Sequence, residues 1–194
     1  IRYILVCKSK GSDAGAVYSH PYSQIIATPV IPKKVKEELD GAKNYFAYKE
    51  RCIFCDIMRE ELRYGKRVIM ETKNFIAFCP YAQRFSFEFW IMPKRHSCAF
   101  QEISGDETED FGLIVFSLLK KLGSLFGNPP YNYVIHTSPN RMPRRNHWHT
   151  LGEDFHWHME VVPRLTGASG FEWASGFYVV TTSPEDAAKY LREA

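Results

Sequence analysis

The sequence predicts an α+β fold, an antiparallel sheet with flanking helices. Short apolar and β-branched runs recur at hairpin-length intervals. A long amphipathic helix interrupts them once, and strand-like runs resume after it. Aromatic residues make up 15% of the chain, a content that favours pleated, stacked surfaces.

The elements follow in order. Residues 2–8 read as a strand, and the Gly/Ser/Pro-rich stretch Gly11 to Ser23 as a loop. Gln24 to Ile31 reads as a second strand, ended by Pro32. Val35 to Lys49 reads as helix followed by connector, and marks the boundary between a unit at 1–49 and a unit at 50–194. Asn74–Cys79 and Phe85–Met92 form a strand pair joined by residues 80–84. Ser104-Gly105-Asp106-Glu107 has the capping-box pattern and opens a helix. Phe111, Ile114, Val115, Leu118, Leu119, Leu122 and Leu125 give that helix one buried face. Gly127 closes it and Pro129-Pro130 forbids continuation. Tyr131–Thr137 and His156–Pro163 are further strands, and Ser183-Pro184 starts a last helix.

Composition narrows the function classes. A hydrophobic fraction of 45% with 24% charged residues is that of a globular domain, and no apolar run reaches membrane-spanning length. A formal net charge of +3 gives little support to nucleic-acid binding, and the basic clusters Lys33–Lys36 and Arg141–Arg145 read as solvated surface. Five cysteines, an odd number with two close together, argue for a reduced, cytoplasmic setting and a metal site rather than a disulfide framework. The chain opens inside an apolar β-branched run without an initiator Met, which reads as a longer protein lacking its N-terminal portion.

Cys52-Ile53-Phe54-Cys55 has the CxxC spacing with which two thiolates grip one tetrahedral ion. Taken alone, CxxC is also compatible with redox chemistry or two buried thiols. A period of two on 155–162 puts His156, His158 and Glu160 on one face and Trp157, Met159 and Val161 on the other. A lone His usually packs as core or surface, but two His and a Glu on one face of an apolar strand point to a functional or metal role. His96, at a strand end, is one plausible further ligand by spacing. His147 and His149 fall in a polar, basic loop and read as solvent-exposed.

Several long motifs then carry a resemblance that covers essentially the whole chain. Phe155 to Thr166 (FHWHMEVVPRLT), Gly170 to Tyr178 (GFEWASGFY), Pro129 to Thr137 (PPYNYVIHT) and Phe87 to His96 (FEFWIMPKRH) resemble the galactose-1-phosphate uridylyltransferase family. The plant ADP-glucose phosphorylases look like a close branch of it. The resemblance implies a histidine-triad-like fold with two copies of one α+β repeat, here the tail of repeat one and all of repeat two. It implies a structural Zn2+ on Cys52, Cys55, His96 and His156, with His20 the last ligand of a first site otherwise upstream of Ile1. It also implies a homodimer whose active site forms between subunits, and a UDP-hexose and a hexose 1-phosphate as substrates.

In such enzymes the second His of a His-Pro-His-x-Gln motif attacks the α-phosphorus and holds the nucleotidyl group until a second hexose 1-phosphate takes it. Here the motif reads His20-Pro21-Tyr22-Ser23-Gln24, with Tyr22 at the nucleophile position. A phenol, with an ordinary pKa near ~10, is almost wholly protonated at pH 7. Ser9 and Val17 also depart from the family's usual Asn and Ser, while Gly11, Gly15 and Gln24 are kept. The resemblance places Gly15, Ser23 and Gln24 at the substrate phosphate, and Phe171, Glu172 and Gly176 in a loop that contacts the hexose. Three readings follow: a UDP-glucose–hexose-1-phosphate uridylyltransferase inactive here at Tyr22, or rescued by another His such as His158; an ADP-glucose phosphorylase-like enzyme; and a zinc-stabilised, non-catalytic nucleotide-binding module. A nucleic-acid zinc finger is disfavoured because no short basic helix with a paired HxxxH follows the CxxC.

Overall fold

The computed structural model describes residues 1–142, 149–167 and 169–194. Strands β1 (Tyr3–Lys10) and β2 (Ser23–Thr28) come first. Helices α1 (Lys33–Lys49) and α2 (Ile53–Tyr64) follow. Then come β3 (Val68–Glu71), β4 (Phe75–Phe78), β5 (Phe89–Pro93) and the long α3 (Gly105–Phe126). Strand β6 (Tyr131–His136), the single turn α4 (Leu151–Asp154), β7 (His158–Pro163), α5 (Gly170–Ser175) and α6 (Pro184–Glu193) complete the chain. The seven strands form one antiparallel sheet in the order β2-β1-β6-β7-β5-β4-β3. The α+β class is the one the sequence predicts.

Boundaries shift by one or two residues at β1, β4, β6 and β7, where β7 starts at His158 rather than His156, and four larger differences from the sequence reading stand out. β2 ends at Thr28 because Pro29, not Pro32, is the first residue unable to donate to the ladder. The 33–49 segment is helix throughout, with no connector before Glu50, whose φ of 55° closes it. β5 starts at Phe89 because residues 84–88 form a turn in which Glu88 accepts the amides of Arg84 and Phe85 at 2.7 and 3.3 Å. Helix α2 and strand β3 occupy 53–71, where the sequence reading placed only the CxxC.

Alternation along the strands splits the core between the two sheet faces. Phe75 and Ala77 of β4 join Ile91, Ile114, Leu118, Met159 and Val161 under α3 and α6. Ile76 and Phe78 join Tyr3, Leu39, Phe54, Met58 and Met92 under α1 and α2. A strand inside the sheet and buried on both faces reads as a continuous apolar run, as Phe75–Phe78 does. Complete burial of a side chain such as Leu118 makes its truncation to Ala cost about 2–5 kcal/mol.

The start of α3 fastens the end of β5. Ser104 accepts the Glu107 amide at 3.2 Å, and Glu107 Oε2 accepts the Ser104 amide at 2.9 Å, so the capping box is complete. The same carboxylate takes two hydrogen bonds from Arg95, at 2.8 and 2.9 Å. Those bonds, working against burial, hold the Glu107 carboxyl down at about 2. A carboxyl depressed in the folded state stabilises the fold above its ordinary value near 4.5, and that contribution is lost as pH falls through about 2. Glu107→Gln is therefore expected to cost roughly 1–2 kcal/mol at pH 7, after allowing for screening at the half-exposed Arg95. The difference from wild type should shrink between about pH 5 and pH 2, as denaturant titrations across that range would register; a pH-independent difference would contradict the assignment.

Candidate functional site

Four of the predicted ligands converge. Cys52 is the N-cap of α2 and Cys55 lies in its first turn, where the helix N-terminus favours thiolate. His96 follows β5, and His156 immediately precedes β7. Antiparallel pairing of β5 with β7 brings those two strand ends side by side. One ligand atom from each of the four residues lies within 4.8 Å of all the others. Cys55 Sγ stands 3.2 Å from His96 Nδ1 and 3.4 Å from His156 Nδ1. The other nitrogen of His96, Nε2, donates to the Gly152 carbonyl at 3.0 Å, which leaves Nδ1 as its ligand atom. His156 is fully buried, and its Nε2 has no hydrogen-bond partner, so the ring's polar contact runs through Nδ1 to the sulfur.

The two sulfurs are electrostatically unequal. Hydrogen bonding between them raises the Cys52 thiol, with burial adding to it, while the same contact lowers Cys55. His96 is raised, first by its contact with Cys52. Two sulfurs and two imidazole nitrogens at this spacing fit a tetrahedral zinc ion, and four protein ligands leave no open position on it.

A second cluster sits on the same sheet face. The register pairs His136 of β6 with His158 of β7, and their rings stack with centroids 4.8 Å apart. Trp90 stacks on the other side of His158 at 4.7 Å. Glu38 reaches in from α1, accepting from His136 Nδ1 at 2.7 Å. Its other oxygen lies 3.4 Å from His158 Nε2; both atoms are buried and neither completes a hydrogen bond. Glu160 binds His136 Nε2 at 3.3 Å and also takes a hydrogen bond from Arg84. Burial opposes charge on His136, yet its bonds to Glu160 and Glu38 push it up to about 10. Burial holds His158 below its ordinary value. Glu38, His136 and His158 are a further group whose ligand atoms lie within 4.8 Å, one carboxylate and two imidazoles that a divalent cation accepts.

The predicted face of His156, His158 and Glu160 is thus divided: His156 serves the thiolate cluster, His158 and Glu160 the second one. Glu38 and His136 escaped the sequence reading. The available signal was Glu38 on the Val35–Leu39–Ala42 stripe of α1, a carboxylate beside a buried face.

The loop residues gather elsewhere, between β1 and β2. His20, Ser23 and Gln24 are exposed and Tyr22 is half-buried. Neither donor group among the described residues includes His20. Tyr22 Oη accepts the Val17 amide at 3.3 Å, and the ring meets Tyr18 edge-on at 5.6 Å. The Ser23 and Tyr133 hydroxyls share a hydrogen bond of 2.8 Å. A cavity of about 570 Å3 opens beside this loop, walled by Lys10–Asp13, Ala16–Ser19 and Asn128–Pro130. Lys10 donates to Asn128 there, and burial lowers its pKa.

Phe171, Glu172 and Gly176 lie on and after α5. The Glu172 carboxylate accepts the amides of Ser169 at 2.6 Å and Val179 at 3.2 Å, closing that loop on itself. Among the described residues no hydrogen bond or ring contact joins this loop to the one at Tyr22. His149 is exposed as read from the sequence; His147, Arg144 and Arg145 lie outside the described residues. No helix among the described residues is long and apolar enough to cross a membrane.

The family model for the C-terminal domain of galactose-1-phosphate uridyl transferase matches residues 38–186. ADP-glucose phosphorylase of Arabidopsis thaliana is 38% identical over 193 residues, spanning 100% of this chain and 52% of that protein. Galactose-1-phosphate uridylyltransferase of Thermotoga maritima is 28% identical over 200 residues, spanning 100% of this chain and 60% of that one. The crystal structure of the Arabidopsis thaliana ADP-glucose phosphorylase with bound ADP-glucose matches with a TM-score of 0.89, covering 100% of this chain and 60% of the other. The chain therefore spans little more than half the length of these relatives.

The ligand geometry makes a stability experiment decisive. Zinc added to metal-stripped protein is expected to raise its melting temperature, and Cys55→Ser to abolish that rise. A wild-type melting curve that zinc does not move would remove the metal reading.

Proposed function

Because the chain belongs to the galactose-1-phosphate uridyl transferase family, we propose that it is the zinc-binding, phosphate-loop part of a nucleotide-sugar nucleotidyltransferase whose covalent step is blocked at Tyr22. In this reading the zinc is held by Cys52, Cys55, His96 and His156 and supplies rigidity rather than chemistry. Residues 1–49 are the tail of one repeat and 50–194 a second. Two hairpin-like pairs support that division: β2 is entered through His20-Pro21-Tyr22 and β7 through His156-Trp157-His158, and each strand pairs antiparallel with the one before it, β1 or β6.

The blocked step rests on one observation. In the family reaction an imidazole nitrogen forms a bond to the α-phosphorus as the bond to the leaving hexose 1-phosphate oxygen breaks; a second hexose 1-phosphate then attacks phosphorus and frees the imidazole. A phenol can take that part only by giving up its proton to a base. Tyr22 Oη accepts from the Val17 N–H, a donor, and among the described residues no carboxylate or imidazole is hydrogen-bonded to it. Binding is a separate matter: Gly15, Ser23 and Gln24, with Lys10 at the neighbouring cavity, retain polar groups suited to a phosphate. Phe171, Glu172 and Gly176 belong to the hexose-contacting loop, which reaches a site only in a homodimer.

Uridylyl transfer between UDP-glucose and a hexose 1-phosphate is the family-level reaction. An adenine-nucleotide reading is favoured by the 38% identity to the ADP-glucose phosphorylase, against 28% to the uridylyltransferase. Intact-protein mass spectrometry after incubation with UDP-glucose or ADP-glucose tests the proposal on the wild-type chain and on Tyr22→His. A nucleotidyl-sized adduct on Tyr22→His alone is expected, and the sugar nucleotide that forms it identifies the base. An adduct on the wild-type chain would contradict the block at Tyr22; an adduct on neither would contradict a competent scaffold.

A further inference from the structure

We infer that Asn132 is a positioning residue for the phosphate loop at Gly11–Val17, an inference that rests on the functional reading above. The turn after β1 folds on itself through three backbone hydrogen bonds: Ala14 and Ala16 donate to the Gly11 carbonyl, each at 3.1 Å, and Gly15 to Ser12 at 2.8 Å. Gly11 and Gly15 have φ of 85° and 79°, the left-handed region that glycine enters without strain. These bonds leave the Ala14 carbonyl to be satisfied from outside the turn. Asn132 satisfies it: its Nδ2 donates to Ala14 O at 2.8 Å and to Ser9 Oγ at 2.9 Å.

One carboxamide thereby uses both of its N–H donors to tie the entry of the turn to its apex. The register explains why Asn132 can do so, since it stands directly opposite Ser9 in the β1–β6 ladder. Pro130, two residues earlier, packs so closely on Gly11 that a Cβ there would come within 2.7 Å of the Pro130 Cβ. The turn is thus held against the start of β6 by Pro130, which precedes the strand, and by Asn132 within it. Its outgoing arm carries the Val17 amide to position 22, at 3.3 Å from Tyr22 Oη. Loosening the turn at Ala14 would unfix that amide, and with it the donors that meet a substrate phosphate.

The test compares the full chain with Asn132→Asp, which keeps the shape and removes both donors, and Asn132→Ala. Asn132→Ser is the milder variant should the carboxylate unfold the strand. Hydrogen–deuterium exchange over residues 11–17 reads the turn, calorimetric titration with UDP-glucose and ADP-glucose reads the ligand, and the melting temperature controls for the fold. The variants are expected to exchange faster at 11–17, to keep protection in β1 and β6, and to bind the preferred sugar nucleotide about tenfold more weakly. Unchanged exchange at 11–17, or a loosened turn with unchanged affinity, overturns the inference. A wild-type chain that binds neither sugar nucleotide overturns the functional reading and the ligand role together; the exchange comparison, which needs no ligand, separates that case from a failure of Asn132 alone.

Discussion

The convergence of Cys52, Cys55, His96 and His156 is the constraint on which the surrounding structure depends. It draws the first turn of α2, the exit of β5 and the entry of β7 to one point. Residues beside those ligands, Phe54, Cys98 and Phe155, belong to the core on the same sheet face. A metal bound there would cross-link segments separated by 41 and 101 positions along the chain, closing long loops whose disorder opposes folding. The ring of His156 also fixes the phase of β7. Two residues on, His158 must face α1, where it meets Glu38, and Glu160 must face Arg84. The buried charge network is in this sense downstream of the sulfur–imidazole cluster.

The molecule divides its labour between a tightly held half and an open one. Around the ligand cluster the side chains are buried or half-buried, and Glu160, Arg84 and Glu88 form a network of ion pairs beside them. At the β1–β2 end, β2 is exposed along nearly its whole length, and the loop that carries His20 and Tyr22 meets solvent. Loops that bind or react are normally carried in this way on a rigid scaffold. Under the proposed function Tyr22 is the point at which the two halves disagree: the fold matches that of the family's solved structure, while among the described residues no carboxylate or imidazole is hydrogen-bonded to Tyr22 Oη.

Much of this was legible in the sequence because it depends on spacing. CxxC, the alternation through His156, His158 and Glu160, and the capping box at Ser104 each follow from neighbours a few residues apart: the capping box forms, Trp157, Met159 and Val161 pack together in one core, and Cys52 and Cys55 come within ligand distance of His96 and His156. Helix α2 was hidden because its buried face runs Phe54, Met58, Glu61, and a charged residue at a core position breaks the apolar pattern. Glu61 is tolerated there because Arg67 donates to it at 2.9 and 3.1 Å, a partner that only the fold supplies. The Glu38–His136 pair was out of reach for a different reason: its members lie 98 positions apart and meet only through the packing of α1 on the sheet. The four-residue β3 was too short to show any period.

The measurement that bears most directly on the metal-centred account is zinc K-edge X-ray absorption on the purified chain. Two sulfur scatterers at about 2.3 Å and two nitrogen scatterers at about 2.0–2.1 Å are the expected shell. A shell of oxygen and nitrogen alone, or one with a single sulfur, would contradict the assignment of Cys52, Cys55, His96 and His156 as one metal site.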